Sequence, residues 1–278
     1  MVRLVLIILL TLSLQGSQTE TVKLGFMPYL SAEVLLEKYT PLAAYLSKAL
    51  DKRVEIVISR DHAEHMERTG TDQLCISFLG GNPYIRVVER YGPKPLLTRF
   101  EFDHSPVFRS VIVVAKDSPI DSIGALAGKR FAFGNPDSTL SAQVPRYTLA
   151  QAGISLEDLG GYTHLKNHEN ILYGVLFGDF DAGAVTEEVF KEREKEGIRA
   201  LAYSRELSTH LFVTRSNMDS KTQEKIRRAL LELSGSEEGR AVLRAISPSL
   251  TGFVPVKDSD YDPHREIFKT LAPQTIRP

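Results

Sequence analysis

A strand-turn-helix segment in the middle of the chain has the residue types of an anion-binding loop. An apolar run ends at Gly134, a polar turn follows at 135–137, and Ser138, Thr139 and Ser141 then supply hydroxyl donors. A helix that begins at Ser138 exposes unpaired N–H groups and a partial positive charge, so it can hold an oxyanion without a side-chain cation. The alternative interpretation is that Ser138 only caps the helix.

Two further segments place polar side chains where a predicted strand ends and a helix begins. His168 follows a predicted strand at 162–166, and its imidazole can donate a hydrogen bond to an anion. Tyr84 follows a predicted strand at 73–79 and offers an apolar ring with a hydroxyl. The plainer interpretations are an exposed loop histidine and a tyrosine that packs a helix on a sheet.

The other reactive side chains do not form a metal-binding or catalytic pattern. His62 and His65 have the spacing of half a metal site, but no further ligand has a matching position. Cys75, the one cysteine, lies in a predicted strand and is interpreted as a small buried hydrophobe. The common hydrolase, metalloprotease and dinucleotide-binding motifs are missing from the sequence. We therefore expect no metal, no cofactor and no enzymatic activity.

Strands alternate with helices along the whole chain after residue 22, which predicts an α/β fold with parallel strands joined by crossovers. Open sheets of this kind bind ligands at the carboxyl ends of their strands, where the candidate residues fall. The stretch 101–106 is predicted to be the segment where the chain crosses between two lobes. We expect lobe one to comprise residues 22–106 and 208–278, and lobe two residues 107–207.

Length and charge limit the possible partners. The chain has 278 residues, enough for two lobes, and a net charge of -1 with no basic stripe. Nucleic acid is therefore not an expected partner. Selectivity for an anion must come from local geometry, because the molecule has no strong overall positive field.

The first residues have the pattern of an export signal. Arg3 precedes an apolar run at 4–14, and small residues follow near Gly16 and Ser17. The run is too short to span a membrane. We predict that residues 1–17 are a signal peptide. Since Cys75 lies far from this region, no lipid-anchored cysteine can follow cleavage, and we expect a freely soluble periplasmic protein.

Several short motifs, in order along the chain, resemble the phosphate-, phosphite- and phosphonate-binding proteins of ABC transporters. The resemblance extends from residue 22 to the C-terminus. The motifs are Pro28, the run at 41–46, residues 72–84, residues 126–134, Ser138 with Thr139, Pro145, residues 168–185 and residues 260–265.

This resemblance implies a type II periplasmic-binding fold, a two-lobed clamshell in which each lobe has a mixed, mainly parallel sheet flanked by helices. It implies that Tyr84, Ser138, Thr139 and His168 hold a small phosphorus oxyanion, either phosphate, phosphite or a phosphonate. It also implies an ABC permease as the partner.

The sequence departs from the family pattern at two places. The family loop usually reads Ser-Thr-Ser-Gly, whereas Leu140 and Ser141 occupy its last two positions here. Aminophosphonate binders also carry two later carboxylates that face the ligand's ammonium. Glu187 or Glu188 matches one of them, or lies on a solvated helix face, but His210 stands near the other position. We expect Ser141, Glu188 and His210 to join the ligand site, and an ammonium-bearing ligand to be disfavoured.

Two other functions stay open at this stage. The protein could sense a ligand for a two-component kinase instead of feeding a permease, and Cys75 would then suit arsenite. A transferase on the same fold is less favoured, because only His168 and Cys75 could serve as base or nucleophile. We expect a monomer in each case.

Overall fold

The computed structural model describes residues 21–271, so the predicted signal peptide at 1–17 lies outside the described residues. Thirteen strands are present in this part of the chain. They are β1 (Val22–Phe26), β2 (Val54–Ile58), β3 (Ile76–Leu79), β4 (Leu96–Phe102), β5 (Val107–Phe108), β6 (Ser110–Ala115), β7 (Arg130–Phe133), β8 (Gly161–His164), β9 (Ala182–Thr186), β10 (Ile198–Tyr203), β11 (Leu207–Ser208), β12 (Leu211–Thr214) and β13 (Leu250–Val254).

Nine α-helices lie between these strands within residues 21–271. They are α1 (Ala32–Leu50), α2 (His62–Gly70), α3 (Gly81–Tyr91), α4 (Val144–Gln151), α5 (His168–Leu176), α6 (Glu187–Arg193), α7 (Ser220–Leu231), α8 (Glu237–Ile246) and α9 (Asp262–Leu271). A π-helical turn over Thr139–Gln143 leads directly into α4. No helix of the described part is long and apolar enough to cross a membrane.

Two sheets form the two lobes. The first has the strand order β13-β4-β12-β3-β1-β2, and the second has the order β10-β6-β9-β7-β8. Central strands such as β6 and β9 are buried almost throughout, as expected for strands covered on both faces. The short strands β5 and β11 pair with each other where the chain passes between the sheets.

The expected two-lobed α/β architecture is present, but the sheets are not mainly parallel. In the first sheet β1 pairs parallel with β2 and β3, whereas the three pairings that involve β12 or β13 are antiparallel. In the second sheet β6 pairs antiparallel with β9 and β10. The reason is the path of the chain. It leaves the first lobe along β4 and returns along β12, so strands beside the crossings run in opposite directions.

Two elements form in spite of a residue that disfavours them. Helix α1 continues through Pro41, because an apolar stripe with helical spacing buries one face of it, including Leu35, Leu42 and Leu46. Strand β13 was not predicted. It is a short run interrupted by Gly252, and it forms by pairing with the edge of β4.

The C-terminal helix α9 joins the lobes a third time. Its Ile267 packs with Leu140 and Val144 of the second lobe and with Phe108 of the crossing strand. Residues of both lobes therefore form one apolar cluster beside the crossing strands.

Candidate functional site

Several helices begin where the two lobes meet. Each follows a strand, and most have a polar side chain that caps the first turn: Ser31 before α1, Asp61 before α2, Ser138 before the π-helical turn and Asn167 before α5. Helix α3 begins after Gly80, which has no side chain to cap it. Helix N-termini carry partial positive charge, so their convergence favours an anion.

Two small adjoining cavities lie between these helix starts, with volumes of about 10 and 20 Å³. Both are lined by Tyr29, His62, Ser138 and His168. The first is completed mainly by polar residues, namely Gly134, Asn135, Ser141, Lys166 and Asn167. The second is completed by a more apolar set, namely Met27, Gly80, Pro83, Thr139, Leu140, Thr186 and His210.

The loop at Ser138 is held by its own hydroxyls. The Ser138 Oγ accepts hydrogen bonds from the backbone N–H of Ser141 at 3.3 Å and from the Ser141 Oγ at 2.7 Å. Gly134 donates its N–H to the Ser141 carbonyl at 2.8 Å, and a Cβ on Gly134 would collide with the Ser141 side chain. The glycine is therefore required by close packing, and the predicted cap role of Ser138 coexists with its place in the cavity.

Thr139 connects the two lobes across the cleft. Its Oγ1 accepts a hydrogen bond of 2.8 Å from the backbone N–H of Asn82, at the start of α3. The Asn82 amide donates to the carbonyl of Asp137 at 2.7 Å, and Arg86 forms an ion pair with the Asp137 carboxylate. The lobes are thus in contact at the mouth of the cavities.

His168 is the first residue of α5 and is almost fully buried, with 4% of its surface exposed. Its backbone N–H donates to the carbonyl of Tyr29 in the other lobe at 3.3 Å. Its ring Nδ1 has no hydrogen-bond partner in the described part of the chain. Burial, with a smaller contribution from the neighbouring His62, lowers the pKa of His168 to about 4, so the ring is neutral near pH 7.

His210 forms the apolar end of the second cavity. Its ring stacks on Phe78 with 4.8 Å between centroids and meets Phe108 edge-on at 4.9 Å. Burial lowers the pKa of His210 to about 3, with smaller contributions from His168 and His264. A neutral aromatic ring therefore stands near the position where the family's second acid was expected.

Two of the expected site residues do not line either cavity. Tyr84 packs against Tyr261, and its hydroxyl donates to the carboxylate of Asp258 at 2.7 Å, because α3 turns that face toward the C-terminal part of the chain. Glu188 lies on α6 and lines a separate cavity beside the crossing strands. Burial, together with Glu192, raises the pKa of Glu188 to about 7.

Tyr29 and His62 were not predicted as ligand residues, although both line the two cavities. Their position at strand-to-helix junctions of the first sheet was the available signal. His65, the other half of the suspected metal pair, points into the core and bonds the Phe78 carbonyl and the Ser59 hydroxyl. Residues 21–271 hold no group of three or more histidine, cysteine or acidic side chains that could bind a metal.

Two α/β lobes joined by crossing strands, with a polar cavity between them, define the class of periplasmic binding proteins. The family model described as the periplasmic substrate-binding protein of phosphonate ABC transporters matches residues 24–261. The chain belongs to this family.

Named relatives are distant in sequence. A probable ABC transporter phosphite-binding protein, PhnD1 of Prochlorococcus marinus (strain MIT 9301), is 26% identical over 64% of this chain, and the match spans 62% of that protein's length, just under two thirds. The phosphonates-binding periplasmic protein of Escherichia coli (strain K12) is 26% identical over 82% of this chain and 71% of its own.

Solved structures share the fold closely. The structure of Prochlorococcus marinus PhnD1 in complex with methylphosphonate superimposes with a TM-score of 0.82 at 21% identity, over 90% of this chain and 98% of that one. A binding-protein component of a phosphonate transporter from Pseudomonas aeruginosa has the same TM-score at 19% identity, over 91% and 87% of the two chains.

Proposed function

We propose that the protein captures a small phosphorus oxyanion, namely phosphate, phosphite or a small phosphonate, in the paired cavities between its lobes. The observation that carries this proposal is the buried Nδ1 of His168, which has no partner among residues 21–271 and lies in a cavity with the Ser138 hydroxyl. A buried polar atom without a partner costs free energy, so a bound group that hydrogen-bonds to it is expected there.

The ligand would favour closure because it contacts both lobes at once. Ser138 and His168 belong to the second lobe, whereas Tyr29 precedes α1 of the first. A ligand shifts the open-closed equilibrium only through its higher affinity for the closed form. The hydrogen bond from Asn82 to Thr139 would then form together with the ligand contacts and stabilise the closed form.

The contacts of the later acids disfavour an ammonium-bearing ligand. Glu187 accepts two hydrogen bonds from Arg109, at 3.0 and 2.8 Å, so its charge is already balanced. His210 supplies a neutral ring where a carboxylate would be needed. We therefore expect phosphate, phosphite or methylphosphonate to bind ahead of aminoethylphosphonate.

We infer that the protein acts in the periplasm after removal of residues 1–17, as a soluble monomer that delivers its ligand to an ABC permease and performs no catalysis. This follows from the family and from the leader pattern around Arg3. A sensor kinase is the second candidate for the downstream partner, since a permease or a kinase would recognise the closed conformation.

A thermal-shift panel on the protein without residues 1–17 tests the ligand class. The panel contains phosphate, phosphite, methylphosphonate, aminoethylphosphonate, sulfate, arsenate and arsenite. A ligand at a hundred times its Kd adds about 2.7 kcal/mol of stability, which a melting curve resolves. Stabilisation by arsenite alone, lost in Cys75→Ser, would replace this proposal with the sensing alternative.

A further inference from the structure

The two lobes present the same local structure to each other across the cavities. Helix α2 begins with His62 after the cap residue Asp61, whose φ and ψ are -153° and 175°. Helix α5 begins with His168 after the cap residue Asn167, whose φ and ψ are -149° and 172°. Each lobe thus contributes one histidine at the first position of a helix.

Both caps are made in the same way. The Asp61 Oδ1 accepts the backbone N–H of Glu64 at 2.8 Å, and the Asn167 Oδ1 accepts the backbone N–H of Asn170 at 2.9 Å. Each cap uses one side-chain oxygen; the Asp61 carboxylate would repel an anion, whereas the Asn167 amide keeps its N–H donors and also lines the first cavity. The histidine that follows each cap residue lines both cavities.

The two rings are also alike in burial and bonding. Both His62 and His168 are 4% exposed, both line the two cavities, and neither Nδ1 has a partner in the described chain. Burial lowers the pKa of each to about 4, and His62 acts electrostatically on His168. The charged or titratable groups around them are Asp61, which raises the pKa of His62, and Tyr29, Lys166 and His210, which line the same cavities.

We propose that His62 and His168 form a pair, one ring from each lobe, that binds the oxyanion between them and takes up a proton with it. This inference rests on the proposed function. A neutral imidazole has one N–H and one lone pair, and a lone pair directed at an oxyanion is repulsive. Protonation of one ring gives it a second donor, and an anion at close range stabilises the imidazolium.

The pair favours ligands that can carry two negative charges. A dianionic phosphonate, phosphite or phosphate stabilises an imidazolium more than a singly charged sulfonate of the same size. The rings of the empty protein are neutral above about pH 4, whereas the complex holds an extra proton up to a higher pKa. Affinity for a given ionic form of the ligand therefore falls as the pH rises through that higher value.

Titration calorimetry near pH 7 tests the pair directly. Methylphosphonate is titrated in two buffers that differ in ionisation enthalpy, so that the number of protons taken up is measured together with Kd. The variants are His62→Asn and His168→Asn. His104→Asn is the matched control, because His104 is exposed and has a φ of 63°, a conformation that asparagine tolerates.

The expected result is that His62→Asn weakens binding by about tenfold or more and lowers proton uptake by about half a proton per ligand. His104→Asn should change neither quantity. Since ionisation of free methylphosphonate is common to all variants, the difference between variants reports the protons held by the rings and the bound ligand together. An unchanged proton count in both His62→Asn and His168→Asn would overturn the pair, even if affinity fell.

A second measurement needs no substitution. The nitrogen-15 NMR chemical shifts of the His62 and His168 rings, measured with and without methylphosphonate, distinguish imidazolium from neutral imidazole. An imidazolium in the complex supports the pair, and two neutral rings in the complex contradict it even if a variant fails to fold. Failure of the wild type to bind any phosphorus oxyanion would instead refute the proposed function, and the pair with it.

Discussion

Two regions where the lobes face each other differ in size and in chemistry. The cavity beside the crossing strands is larger than the paired cavities, with a volume of about 140 Å³. Four of its charged side chains are already paired. Arg109 holds Glu187 with two hydrogen bonds, and Lys191 reaches both Asp103 at 3.2 Å and Glu187 at 3.4 Å.

The paired cavities at the helix starts are smaller but contain unsatisfied polar atoms. The Nδ1 atoms of His62 and His168 have no partner in the described part of the chain, and both residues stand at the first position of a helix. Since an orphaned buried donor costs free energy and a paired one does not, the smaller region is the better ligand site. Unsatisfied groups, and not volume, distinguish the two regions.

The largest effect on ligand binding is expected for His168→Ala. The variant loses a buried donor to a charged ligand, so we expect the affinity for methylphosphonate to fall by about a hundredfold. The unliganded protein should also melt at a lower temperature, because removal of the buried ring leaves a cavity beside Tyr29. Titration calorimetry and a melting curve measure the two quantities. If this variant bound methylphosphonate with wild-type affinity, the unsatisfied Nδ1 atom would not identify the paired cavities as the ligand site.

A smaller loss is expected for Ser138→Ala, about tenfold, because the backbone N–H groups of the helix start remain in place. Ser138 also caps its helical turn, so stability should fall by about 1 kcal/mol. Ser236→Ala is the matched control, since Ser236 caps α8 away from the cavities. If both variants lost stability and neither lost affinity, Ser138 would be a cap and nothing more.

Much of this comparison could be predicted from the sequence, and the reason is topological. Ser138 and His168 follow strands of one sheet, and the carboxyl ends of such strands meet at one edge. The sequence could not predict which face of a helix turns inward, so Tyr84 was expected in the cleft and Tyr29 was not. The direction of the strands beside the crossings was also missed, because local periodicity does not report the path between lobes.

In the cavity beside the crossing strands, Glu188→Gln should affect stability but not ligand affinity. The pKa of Glu188 is raised to about 7, so the folded protein binds its proton more tightly than the unfolded chain. Its unfavourable contribution grows as the pH rises from the ordinary value of 4.5 through 7. We expect the variant to be more stable by up to about 3 kcal/mol at pH 8 and unchanged at pH 4. Glu194→Gln, an exposed neighbour, serves as the control. A loss of methylphosphonate affinity would bring Glu188 into the ligand site.

The smallest effect on binding is expected for Tyr84→Phe. The resemblance placed Tyr84 at the ligand, but its hydroxyl is used by Asp258, and its ring packs on Tyr261. Removal of the hydroxyl costs one hydrogen bond, about 1 kcal/mol of stability, and the Asp258 carboxylate keeps its contact with Arg265 at 2.6 Å.

Affinity for methylphosphonate should therefore stay within about twofold of wild type in Tyr84→Phe, since no group that lines the cavities is altered. Calorimetry measures the affinity, and a urea titration measures the stability. Tyr162→Phe is the control, because Tyr162 is exposed on the edge strand β8. A tenfold loss in Tyr84→Phe alone would mean that the tyrosine leaves Asp258 and turns into the cleft when ligand binds. The site would then extend along α3, and the residues that surround the empty cavities would be only part of it.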